Sequence, residues 1–134
     1  MGLFSKKPKR NPVVHTQGLR LEYSIDHAWW EFTHQGVDFI SYGASFTCPS
    51  REQMSFILSD IEKLKPEMIK RLADGWKDWK GIKMNDGETI CVNLTDFQSK
   101  GSFEVSWSGG STWGDMGIDF IIEDHAITDV ACGD

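Results

Sequence analysis

This chain has little cysteine, little proline and no long apolar run. Its three cysteines, Cys48, Cys91 and Cys132, lack C-x-x-C spacing, which speaks against a zinc ribbon or a disulfide framework. Each lies in or beside an apolar, strand-like segment, so buried free thiols are expected. No apolar stretch approaches the roughly 18 residues needed to cross a bilayer. The opening MGLFSKKPKRNP places its basic residues after a short apolar patch, the wrong order for a secretory signal. Lys6 stands where a myristoylation site requires Ser or Thr. A cytoplasmic protein with no membrane partner is the expectation.

Positive charge is scarce wherever the chain looks folded. The net charge is −6, yet Lys6, Lys7, Lys9 and Arg10 crowd into a Pro-flanked leader, and from Met84 to Asp134 ten acids face Lys100 alone. The closing WGDMGIDFIIEDHAITDVACGD, from Trp113 on, holds six acids and no Lys or Arg. A nucleic-acid binder needs the opposite sign on its folded surface, so no nucleic-acid partner is expected.

Catalytic and metal motifs are also missing. His15, His27, His34 and His125 are scattered, with no H-E-x-x-H and no tight Cys/His cluster, so neither metal nor cofactor is expected. SWSGGSTWGDMG is glycine-rich, but Asp115 follows where a phosphate loop needs positive charge. It reads as a hairpin loop anchored by tryptophans, and an exposed Trp113 at its tip would suit a protein partner. A Cys–His pair assembled in space would need no sequence proximity, so an enzyme or ligand binder using Cys91, a histidine or the carboxylates stays open as a minority reading.

What is present describes one ordinary globular domain. The 134 residues are 40% hydrophobic and 25% charged, and six Trp with eight Phe read as core. Leu19, Leu21, Tyr23 and Ile25 alternate with Arg20, Glu22, Ser24 and Asp26, the pattern of a half-buried strand. AWWEFT and VDFISYGASFT continue a meander. Ser50 and Gln53 then fit a capping box. Met54, Ile57, Ile61, Leu64, Met68, Leu72, Trp76 and Trp79 follow at steps of three and four, in one phase through Pro66. This predicts a single long helix over roughly 51–80, kinked near Pro66 and ended by Gly81 and the Asn85-Asp86-Gly87 turn. Strand periodicity returns around Ile90–Leu94, Phe103–Trp107, Ile118–Ile122 and Ala126–Ala131. The expected fold is α+β: a mainly antiparallel sheet, an N-terminal meander and C-terminal hairpins, with the helix packed on one face. Residues 1–17 are expected as a disordered basic leader and 18–134 as the domain.

In the acidic tail, Asp115, Asp119 and Glu123 alternate with Ile118, Phe120 and Ile122. Within one strand such acids stand about 13 Å apart at every fourth residue, too far for a shared metal or a glycosidase-type pair. With Asp124 and Asp129 they are expected to form a solvent-facing patch, its edge anchored by Trp113, that serves either solubility or recognition of a basic protein.

A signal-less acidic domain of strands, a central helix and a closing hairpin, FIIEDHAITDV, resembles bacterial immunity proteins of polymorphic and contact-dependent toxin systems in architecture and charge. The resemblance implies an inhibitory partner, a basic and possibly nuclease toxin, met by an acidic surface. It assigns no individual residue. The alternative is another interaction or structural module, phage-encoded or regulatory.

Overall fold

A computed structural model of the chain describes residues 10–76, 81–83 and 87–133. Eight strands form a single sheet in sequential order: β1 (Val13–Thr16), β2 (Leu19–Ser24), β3 (Trp29–His34), β4 (Val37–Tyr42), β5 (Thr89–Asn93), β6 (Phe103–Ser108), β7 (Gly117–Glu123) and β8 (Ala126–Gly133). The long helix α1 (Arg51–Trp76) lies between β4 and β5 in the chain, and a single turn, α2 (Phe97–Lys100), precedes β6. The fold is therefore α+β.

Six of the seven strand pairings are antiparallel, as the meander and hairpin patterns imply; β4 and β5 pair in parallel. Parallel neighbours cannot be joined by a tight turn, and the segment containing α1 supplies the long return. Three hairpins close on two residues with positive φ, Gln17–Gly18, Gln35–Gly36 and Asp124–His125. That is the geometry whose twist matches the flanking strands, and glycine takes the second position of the first two without steric cost.

The helix starts at the predicted capping box. Ser50 Oγ accepts from the Gln53 amide at 3.1 Å, and Gln53 Oε1 accepts from the Ser50 amide at 2.9 Å. It continues through Pro66 as one element. Met54, Ile57, Ile61, Met68 and Leu72 from its stripe are buried, and they share one core with Phe39, Val92, Val105, Phe120 and their neighbours from the sheet. Trp107 Nε1 donates to Met68 Sδ at 3.3 Å within that core. Trp79, Asn85 and Asp86, part of the expected helix end and turn, lie outside the described residues, as do residues 1–9.

Two expectations are corrected. The leader does not run to residue 17, because Val13–Thr16 pairs with Leu19–Glu22 as an edge strand. The preceding residues dock too: Asn11 Nδ2 donates to Glu22 at 3.2 Å, Asn11 Oδ1 accepts from the Ile25 amide, and the Pro12 carbonyl accepts from the Tyr23 amide. An edge strand gains backbone hydrogen bonds while its side chains stay exposed, so hydropathy carries little trace of it. The thiols are free, as expected, but Cys48 and Cys91 are half-buried and Cys132 is exposed.

Candidate functional site

Side chains alternate across a sheet, and the register here sorts them into two faces. Leu21, Phe32, Phe39, Val92, Val105, Phe120 and Ile122 point into the core. The intervening residues form the second face. One row of cross-strand partners runs Glu22, Glu31, Ile40, Asn93, Glu104, Ile121, Asp129, from β2 to β8. A second runs Asp38, Cys91, Ser106, Asp119, Ala131. At about 4.8 Å per strand the first row spans about 29 Å.

Every acidic residue within the strands falls on this second face: Glu22, Glu31, Asp38, Glu104, Asp119, Glu123 and Asp129. Arg20 is the sole Lys or Arg within the strands. It pairs with Glu22 at 3.0 Å and leaves the other six carboxylates without a guanidinium or ammonium from the sheet. Helix α1 carries five basic and five acidic residues and is balanced by comparison.

The carboxylates feel one another. Burial, then Asp119 and Asp96, push the Glu104 carboxyl above its usual range. Burial, then Asp38, Asp119 and Glu31, push the Cys91 thiol up to about 11. Glu22 moves the other way, held low by the Asn11 amide and by Arg20. Polar neighbours orient two more: Trp29 Nε1 donates to Glu31 at 2.9 Å, and Thr33 Oγ1 donates to Asp38 at 2.9 Å.

The surface is indented. A cavity of about 570 Å³ is lined by Arg20, Glu22, Trp29, Glu31, Asp38 and Cys91 among others. A neighbouring one of about 410 Å³ involves Tyr42, Asn93, Asp96, Glu104 and Ile121. Trp29 and Tyr42 meet edge to face with centroids 5.4 Å apart, and Tyr42 is 49% exposed. Apolar and aromatic surface is thus interleaved with the carboxylates.

Of the residues singled out from the sequence, Asp119, Glu123 and Asp129 lie on the second face, Asp119 half-buried and the other two exposed. Asp115 is exposed in the loop before β7, and Asp124 sits in the β7–β8 turn. Trp113 is a correction. It is 2% exposed, its Nε1 donates to the Lys83 carbonyl at 2.8 Å, and its ring lies under Gly110. The loop folds back over the tryptophan, so the ring belongs to the core and offers no surface anchor. Glu22, Glu31, Asp38 and Glu104 share this face without being among the residues singled out from the sequence. Alternation already turned Glu22 outward, but only strand register joins it to the tail.

Among the described residues no group of three or more His, Cys, Asp or Glu is arranged to hold a metal ion, and no helix is long and apolar enough to cross a membrane. Comparison of the chain with family models, curated proteins and solved structures returns no match.

Proposed function

We propose that this protein is a binding protein that captures a basic protein on the acidic second face of its sheet and thereby blocks it, as an immunity protein neutralises a toxin in the cytoplasm. The observation that carries this reading is the sorting of charge: seven strand carboxylates share one face with a single guanidinium. Solubility alone asks for charge spread over the surface, with both signs interspersed. A field of one sign concentrated on an indented face attracts and orients a partner of the other sign, raising association rates by about 10- to 1,000-fold at low salt. Trp29, Ile40, Tyr42 and Ile121 supply the apolar contacts that slow dissociation once the partner is seated. In this reading α1, bent at Pro66, lies across the core side and stiffens the sheet from behind. The reading needs no cofactor and no reaction. A Cys91 thiol held up to about 11 stays protonated near neutral pH and makes a poor nucleophile.

The test is affinity capture on the immobilised chain, with protein bound at low salt and released by high salt. A basic protein is expected, retained by a helix variant (Glu62→Lys with Glu67→Lys) and lost by a face variant (Glu31→Lys with Glu104→Lys). Equal capture by the two variants would overturn the assignment of the face.

A further inference from the structure

A different part of the molecule combines an apolar cavity with an oriented polar pair, the nearly buried Asp60 and His125, whose side chain is 73% exposed. A cavity of about 380 Å³ opens between α1 and the β7–β8 hairpin, with Phe103 and Ile122 at its base and Phe56 and Phe97 in its wall. This is within the size range of small-molecule sites, about 300–1,000 Å³. Phe103 and Ile122 are 5% and 1% exposed, and Phe97 packs edge to face on Phe103. Phe56 is 57% exposed, the most exposed of the large apolar side chains among the described residues, and it borders the cavity. An occupant of the cavity would cover part of this ring.

The polar pair defines the occupant's chemistry. Asp60, on α1, is 9% exposed, and both of its carboxylate oxygens lie 2.9 Å from Nδ1 of His125. A carboxylate only accepts, so Nδ1 carries the proton, and in the neutral imidazole Nε2 is left as a lone-pair acceptor. No bond from a described residue to Nε2 accompanies those two. Asp60 on the helix and the two-residue turn on the hairpin fix the ring at the cavity wall. To the neutral ring, a matching ligand presents a hydrogen-bond donor attached to an apolar body. Asp60 and Asp124 both line the cavity and disfavour an anion. A cation gains little from Asp60, whose oxygens are already engaged by the imidazole.

We propose that this cavity binds a small aromatic molecule carrying a neutral hydroxyl, a phenol or its two-ring equivalent. Its ring packs among Phe56, Phe97 and Phe103, and its hydroxyl donates to Nε2 of His125. The site uses none of the second-face carboxylates and stands or falls independently of the partner-binding reading.

The test uses three probes on the full chain near neutral pH: 2-naphthol, 2-methoxynaphthalene, which lacks the donor, and 2-naphthoate, which carries the wrong charge. Calorimetry gives affinity, and proton–nitrogen correlation spectra locate binding. 2-Naphthol is expected to shift the amides of Ile57, Phe97 and His125 and to bind about tenfold more tightly than the methyl ether, the effect of one hydrogen bond made or lost. Naphthoate is expected to bind most weakly. In His125→Phe the difference between naphthol and ether should vanish while the spectrum stays folded. Absence of naphthol binding at millimolar concentration, equal binding of ether and naphthol, or shifts confined to another surface would each overturn the proposal. The comparison on the unaltered chain decides the matter even if the variant does not fold.

Discussion

Reversing Glu31 and Glu104 to Lys probes the second face most directly. The two belong to one cross-strand row, separated by Ile40 and Asn93, and so stand about 14 Å apart. The whole row spans about 29 Å, comparable to the Debye length of about 30 Å at 10 mM salt, so its charges act on an approaching partner as one field. At 0.15 M the length falls to about 8 Å, and each carboxylate acts nearly alone. The face carries seven carboxylates against Arg20, and the double reversal leaves five against three. Two thirds of its net charge is removed. If the logarithm of the steering factor scales with that charge, a 10- to 1,000-fold enhancement loses about 5- to 100-fold at 10 mM salt. At salt near 0.5 M the loss should shrink to about twofold or less. Stopped-flow association with the captured partner reads both limits, with circular dichroism checking the fold. The pair Glu62→Lys and Glu67→Lys changes total charge equally but on α1, where both carboxylates sit in exposed ion pairs of little consequence for stability. Equal slowing by the helix and face variants would mean that only total charge matters, and the reasoning from the sheet would be refuted.

Three other expectations follow from the packing and the electrostatics. A Cβ on Gly110 would lie 2.6 Å from the Trp113 indole, which is buried and held by the Lys83 carbonyl, so Gly110→Ala should cost about 1–3 kcal/mol and lower the Tm by several degrees in a thermal melt. The Glu104 carboxyl is raised in the folded chain above its ordinary value of 4.5, so the folded state binds its proton more readily than the unfolded state does. Its contribution is therefore most favourable below about pH 4.5 and is lost as pH rises through the folded value; Glu104→Gln should flatten the decline in denaturant stability across that window, and an unchanged slope would remove Glu104 as its source. Cys91, half-buried with its thiol pushed up to about 11, should react with iodoacetamide more slowly near neutral pH than exposed Cys132, as peptide mass spectrometry can establish.

The helix was the most legible part of the sequence. Its stripe from Met54 to Leu72 and the reciprocal bonds of Ser50 and Gln53 depend on residues three or four apart, and backbone geometry alone brings such residues together. The outward turn of Glu22, Asp119 and Glu123 was legible for the same reason, since a strand alternates with period two whatever it pairs with. The edge strand Val13–Thr16 was not legible, because pairing without burial leaves no hydropathy pattern. Trp113 misled because a loop has no period, and whether a ring there faces water or core depends on the surface against which the loop folds.

What the sequence determined by itself is which residues of each element share a side, a property of the local backbone. Only the tertiary structure decided which sides coincide. Six interstrand registers carry Glu22 into the same row as Asp129, the parallel β4–β5 pairing joins the two halves of that row, and the hairpin brings His125 to Asp60, 65 residues earlier. Such juxtapositions depend on long-range hydrogen bonding and on one shared core, whose closure sets the register; a one-residue slip would turn a strand's carboxylates from the second face into the interior.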